Sequence, residues 1–189
     1  MNIGLYFGSF NPIHIGHLII ANHILNKTLV EKLWFVVSPQ NPLKAEKSLL
    51  NEFDRLHLVR LAIDDDARMK ASDIEFYLPK PSYTVDTMTY LQEKYPEDEF
   101  SIIMGSDSFK NINKWKNSSV LLNNFQILIY KRPGFAVESA EEYQVKILDA
   151  PLLEISATQI RELIRKDQSI RYLVPEKVRE ELEKSRYYK

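Results

Sequence analysis

Short apolar runs alternate with stretches of helical periodicity along the chain, and no other feature restricts the fold as much. A strand that returns parallel to its predecessor needs a crossover, usually a helix. The alternation therefore predicts an α/β protein with a Rossmann-like, doubly wound parallel sheet of five or six strands and flanking helices. Ile3 to Phe7, Leu33 to Val37, Ser72 to Phe76, Phe100 to Met104 and Gln126 to Tyr130 read as strands, with Gln144 to Leu148 as a further one. Leu33 to Val37 is apolar on both faces, as a central parallel strand is. Helical spacing covers His14 to Lys27, with Leu18, Ala21, Ile24 and Leu25 inward, and Asn51 to Asp65, with Phe53, Leu56, Val59 and Ile63 inward. Pro175 opens a last helix, Glu176 to Lys184. A chain of 189 residues fits one domain, 1–189, with its C-terminal helical part, about 156–189, packed on the rest.

Composition removes several classes. The formal net charge of −1 weighs against a nucleic-acid partner, which calls for a basic surplus, so small substrates are expected. The start, Met1-Asn2-Ile3-Gly4, lacks a basic region and a continuous apolar stretch, so neither a signal peptide nor a membrane span is expected. With no cysteine there are no disulfides, and a cytoplasmic location is expected. Neither a Walker A sequence nor Gly-x-Gly-x-x-Gly occurs, which removes kinase-type and classical dehydrogenase readings.

The chemistry concentrates in Gly8-Ser9-Phe10-Asn11-Pro12-Ile13-His14-Ile15-Gly16-His17, between the first strand and the first helix. Gly8 lets the backbone turn off the strand, Pro12 stiffens the exit, and Gly16 keeps the first helical turn open to a ligand. His14 and His17, three apart, share one helix face. A helix start offers unpaired N–H groups and the positive end of the dipole, so an anion is the expected occupant, and two imidazoles there can donate to a phosphate. Zinc would need further ligands, and neither His23 nor His57 stands at ligand-like spacing.

These residues resemble the signature of the nucleotidylyltransferases, which move a nucleoside monophosphate from a triphosphate without a covalent enzyme intermediate. Within them the chain is similar over essentially its whole length to the bacterial nicotinate-nucleotide adenylyltransferases. That group commonly reads Gly-Gly-Thr-Phe-Asp-Pro-Pro-His, whereas here Ser9 precedes Phe10 and Asn11 holds the Asp place. The resemblance implies transfer of the adenylyl group of ATP to nicotinate mononucleotide, with Mg²⁺ carried on the ATP and no metal held by the protein. Gly8, Ser9, Phe10, His14, Gly16 and His17 would bind ATP and Asn11 the acceptor, with His14 and His17 catalytic.

Further sites follow along the chain. Lys44, in the loop after the second strand, is either an ordinary solvated lysine or, as the resemblance implies, a phosphate contact of the acceptor. Thr84 is a natural N-cap, while the resemblance makes Tyr83 and Thr84 part of a pocket for the pyridine carboxylate. Asp107, just past Gly105 at a strand end, either caps the next helix or accepts from ribose hydroxyls, and the resemblance favours the ribose of ATP. Trp115 stands among polar residues and either packs from a distance or offers its face to a planar ring, which the resemblance identifies as the pyridine. Arg132 is either an exposed turn residue or a bidentate phosphate holder for the acceptor.

Ile155-Ser156-Ala157-Thr158-Gln159-Ile160-Arg161 begins a helix with hydroxyls, free amides and an arginine, either plain capping or a second phosphate cradle. It matches the Ser-x-Thr-x-Ile-Arg motif, which implies that Ile155, Ser156, Thr158 and Arg161 meet the triphosphate, with Arg161 catalytic. The rival readings are a phosphopantetheine, nicotinamide-mononucleotide or cytidylyl transferase, or a nucleotide-binding sensor without turnover. Monomer or homo-oligomer is left open by the sequence.

Overall fold

The computed structural model describes residues 1–39, 49–135, 137, 143–151 and 154–189. Lys44 lies outside the described residues. The chain runs β1 (Asn2–Gly8), α1 (Ile15–Lys27), β2 (Lys32–Val37), α2 (Glu52–Ala62), β3 (Met69–Ser72), a 3₁₀ turn (Ile74–Tyr77), α3 (Thr84–Lys94), β4 (Glu99–Gly105) and the single turn α4 (Ser106–Phe109). A second 3₁₀ turn (Ile112–Lys114), α5 (Ser118–Asn124), β5 (Gln126–Tyr130), β6 (Val145–Leu148), α6 (Ala157–Arg165) and α7 (Glu176–Ser185) complete it.

The six strands form one sheet in the order β3-β2-β1-β4-β5-β6, and every pairing is parallel. The chain reverses direction of build-up between β1 and β4, so a crevice opens beyond their carboxyl ends at Gly8 and Gly105, the place where open parallel sheets bind ligands. Strand residues alternate between two cores. Tyr6, Phe35, Ile103 and Leu128 face the layer that includes α1, α2, α6 and α7, while Leu5, Val36, Ile102 and Ile127 face the layer of α3 and α5. Ile160, Ile164, Val178 and Leu182 share the first of these cores, so the C-terminal helices pack on the sheet layer that carries α1.

Three expectations change. The third strand is Met69–Ser72, and Ile74–Tyr77 is a 3₁₀ turn instead of its continuation. At this edge β3 pairs with β2 alone, Ser72 lies opposite Val36, and β2 ends one residue later, so a longer β3 would have no ladder to join. Phe53 is 61% exposed, set edge-on against Phe76, while Arg55 takes the inward position at 0% exposure. Tyr83 is the N-cap of α3, and Thr84 is its first helical residue.

Candidate active site at the sheet crevice

Gly8 closes β1, and a Cβ there would fall 2.8 Å from the Phe10 ring. Its φ is not positive; the left-handed residue of the turn is Phe10 at φ 45°. Gly8 therefore leaves room for Phe10, and Phe10 makes the turn. Phe10 is itself buried, edge-on to Tyr6, Phe35 and His17, so its side chain belongs to the core and the turn meets a ligand through backbone groups.

His14 is the N-cap of α1, and His17 stands one turn in. Their rings stack with centroids 3.6 Å apart and planes at 25°. Gly16 makes this packing feasible, because a Cβ would sit 3.0 Å from His14 Nδ1. The backbone N–H of His14 donates to His17 Nδ1 at 3.2 Å. That bond leaves the ring proton of neutral His17 on Nε2, as a donor. Burial holds His14 down to about pKa 4, helped by the charge of Arg132. Burial likewise pushes His17 well below the usual histidine range, with His14 and Arg132 adding to it. Both rings are thus neutral near pH 7, and they act as hydrogen-bond donors instead of cations. His14 Nδ1 is buried without a hydrogen-bond partner among the described residues.

Positive charge comes from Arg132. Its Nε lies 3.4 Å from Asp107 Oδ1, its Nη2 donates to the Tyr130 hydroxyl at 3.3 Å, and its backbone N–H donates to Ser106 Oγ at 2.8 Å. The Tyr130 hydroxyl in turn meets that of Tyr6 at 3.1 Å, and the Tyr6 ring lies edge-on to His17. A continuous polar chain therefore links Asp107 and Arg132 to the neighbourhood of the imidazoles.

Beside this chain lies a cavity of about 420 Å³, ample for a mononucleotide. Gly8, Ser9, Gly105, Tyr83, Thr84 and Trp115 line it, as do Tyr6, Glu75, Ser82 and Tyr130. The N-terminus of α3 opens onto it with no side-chain cap, so backbone N–H groups at Thr84 and Val85 lack the bond that a capping side chain supplies elsewhere. Such an end is a seat for an anion. Tyr83 is covered by Lys116 Nζ at 4.7 Å, which also pairs with Asp86 at 2.9 Å. Trp115 is half-buried, packed on the core shared by α3 and α5 with one side on the cavity.

The α6 start stands next to the histidines. The Cβ of Ile155 lies 3.8 Å from the Cβ position of Gly16, and Arg161 Nη1 donates to the Asn11 carbonyl at 2.7 Å. Ser156 caps α6 by accepting from the Gln159 N–H, and Arg161 Nη2 donates to Thr158 Oγ1 at 3.2 Å. His14, His17, Asp107, Arg132, Ser156, Thr158 and Arg161 are not among the residues that line the cavity.

Asn11 departs from its expected place. It is 1% exposed, its Oδ1 accepts from the Leu50 N–H and the Tyr188 hydroxyl, and it holds the turn instead of facing an acceptor. Arg161, 7% exposed, grips the same turn from behind.

Sequence reasoning passed over two buried charges. Arg55 donates to the carbonyls of Ser9, Ser38, Pro39 and Leu50, tying the turns after β1 and β2 together. Its signal was its register, since it shares a helix face with Leu58, Val59 and Ala62. Glu75 accepts from Ser82 Oγ at 2.7 Å and Thr87 Oγ1 at 3.0 Å. Burial pushes its carboxyl up, while the hydroxyls of Ser82, Ser38 and Thr87 pull it down.

A neutral imidazole pair and an arginine at the switch point of a 3-2-1-4-5-6 sheet define a nucleotide-handling crevice, and the comparisons place it. A family model described as cytidylyltransferase-like matches residues 5–163, and the chain belongs to that family. Within it the chain is a member of the nicotinate-nucleotide adenylyltransferase group. It is 50% identical, over 100% of its length and 98% of the relative's, to the probable nicotinate-nucleotide adenylyltransferase of Cytophaga hutchinsonii. To that of Flavobacterium psychrophilum it is 48% identical over all of both chains. The nicotinic acid mononucleotide adenylyltransferase of Plasmodium falciparum complexed with NaAD shares the fold at TM-score 0.85 and 21% identity, over 99% of this chain and 97% of that one.

Proposed function

We propose that this protein transfers the adenylyl group of ATP to nicotinate mononucleotide, giving nicotinate adenine dinucleotide and pyrophosphate for NAD biosynthesis. The observation that carries the reading is the uncapped α3 N-terminus with Tyr83, Thr84 and Trp115 on the cavity, and the His14–His17 stack behind Tyr6, which lines it and lies edge-on to His17. A flat, anionic ring and a reacting phosphate can be held at these two places. Relatives at 50% and 48% identity bearing that name support it.

The acceptor phosphate is a nucleophile at neutral pH, and in-line attack on the α-phosphorus of ATP breaks the bond to the bridging oxygen and releases pyrophosphate. No general base is needed. The protein contributes alignment and donors aimed at charge that develops in the transition state. His17 Nε2–H and His14 face the transferring phosphoryl group. Arg132 supplies the cation, and its exchange of Asp107 for phosphate leaves that carboxylate to accept from ribose hydroxyls. Ser156 and Thr158 border the path of the leaving pyrophosphate, and Arg161 acts there by holding the turn. Ser9 and Gly105 flank the nucleotide through their backbone.

Mg²⁺ supplies charge neutralisation when it arrives on the triphosphate. Imidazole nitrogens do not match a hard cation, and among the described residues no three His, Cys, Asp or Glu side chains form a cage, so its ligands come from phosphate oxygens and water. The reaction uses small substrates, without nucleic acid or membrane, and belongs in the cytoplasm. Among the described residues no helix is long and apolar enough to cross a membrane.

Pyrophosphate release measured with Mg²⁺-ATP and a panel of nicotinate mononucleotide, nicotinamide mononucleotide and phosphopantetheine, then with CTP in place of ATP, tests the reading. Turnover with nicotinate mononucleotide and ATP far above the other pairs is expected. Preference for another acceptor, or tight ATP binding with no turnover at all, would replace it with a rival transferase or a sensor.

A further inference from the structure

The turn that carries the histidines is strained and held from outside. Phe10 adopts φ 45°, a left-handed conformation that L-residues rarely take. Asn11 behind it is a buried polar residue. Among the described residues, bonds involving Leu50, Arg55, Arg161, Leu173 and Tyr188 converge on Ser9 to Ile15. Arg55 Nη1 donates to the Ser9 carbonyl at 2.7 Å, and Arg161 Nη1 donates to the Asn11 carbonyl at 2.7 Å. The Ile15 N–H donates to the Leu173 carbonyl at 2.9 Å, and the Tyr188 hydroxyl donates to Asn11 Oδ1 at 2.6 Å. Three of these come from the segment beyond residue 160, and of those three Tyr188 is the one that meets the Asn11 side chain, on the same oxygen that accepts from the Leu50 N–H.

Tyr188 is itself placed with effort. Arg186 and Tyr188 have φ of 54° and 69°, and the Tyr187 hydroxyl donates to Asp54 Oδ1 at 3.0 Å, pinning the segment after α7 against α2. Two left-handed residues in three persist only where contacts fix them. The result is a phenol brought 177 positions back to an amide three residues before His14.

We infer that Tyr188 is a positioning residue for this reaction: through its bond to Asn11 Oδ1 it fixes the turn that sets the His14–His17 stack. The inference rests on the adenylyl-transfer reading for its kinetic readout, and on the rings alone for its spectroscopic one.

The test is Tyr188→Phe, which deletes one oxygen from a half-buried ring, in wild-type and Asn11→Ala backgrounds. With nicotinate mononucleotide and ATP, Tyr188→Phe should lower kcat by about fivefold to tenfold, the scale of one lost hydrogen bond acting on alignment, with both KM values within about twofold. In Asn11→Ala the second change should do nothing more. NMR titration of the His14 and His17 Cε1–H signals should show both moved in Tyr188→Phe, whatever the enzyme turns over. Unmoved histidine signals, or an equal kcat loss in Asn11→Ala, would overturn the positioning role. Absence of turnover in the wild type would instead refute the adenylyl-transfer reading and leave the NMR arm to decide.

Discussion

His14 gives a stability prediction with a worked magnitude. Its folded pKa of about 4 lies below its ordinary value of 6.5, so between those values the unfolded chain binds a proton that the folded chain does not. Stability contributed by the buried neutral ring is fully present above pH 6.5 and is lost as pH falls toward 4. From the two values the loss between pH 7 and pH 5 is about 2 kcal/mol, reaching about 3 kcal/mol at pH 4. Carboxylates and His17 also respond to acid, but they do so in any variant that keeps them. Comparing wild type with His14→Gln therefore reads this ring together with the smaller part of the His17 shift that His14 causes. Urea unfolding at pH 7, 6 and 5 should show the wild type losing about 2 kcal/mol relative to the variant, and thermal midpoints should converge by about 4–8 °C. A stability difference that stays constant from pH 7 to pH 5 would refute the claim that the ring is held neutral by burial.

Other perturbations separate structural from substrate roles. Arg55→Leu leaves buried carbonyls of two turns without their donor and should lower stability by about 3 kcal/mol or more in urea, with loss of turnover following from loosened turns. Trp115→Ala should raise the KM for nicotinate mononucleotide about tenfold in initial-rate assays and leave the KM for ATP near wild type, since one stacked face carries about 1–3 kcal/mol. Arg132→Lys keeps the charge but loses the planar fork, and kcat/KM should fall about tenfold or more, with circular dichroism unchanged.

The fold was legible because its signal is repetitive. β1, β2, β4 and β5 are bounded by apolar runs that have no other use, and Ser156 and Pro175 punctuate helices by local rules. β3 was misjudged because Ile74-Glu75-Phe76 looks strand-like, while its actual length is set by where β2 stops. In the site, the spacing of His14 and His17 was visible, and so was the approach of the α6 start to that turn. Hidden were the groups whose meaning is a partner far along the chain. Asn11 looked like a ligand contact until Tyr188 and Leu50 occupied its oxygen, and Arg55, passed over in the sequence, is surrounded by four carbonyls. Hydrogen bonds across 46 to 177 positions leave no local trace in composition or periodicity. The electrostatic state of the imidazoles was hidden likewise, since burial and Arg132 decide it.

The central claim is that neutral His17 donates from Nε2 to the transferring phosphoryl group. His17→Asn tests it most directly, because an amide oxygen can still accept from the His14 N–H while the ring donor is gone. With Mg²⁺-ATP and nicotinate mononucleotide saturating, kcat should fall by about 10²–10³, and the circular dichroism spectrum should match wild type. A correctly folded His17→Asn enzyme that releases pyrophosphate at the wild-type rate would contradict the account.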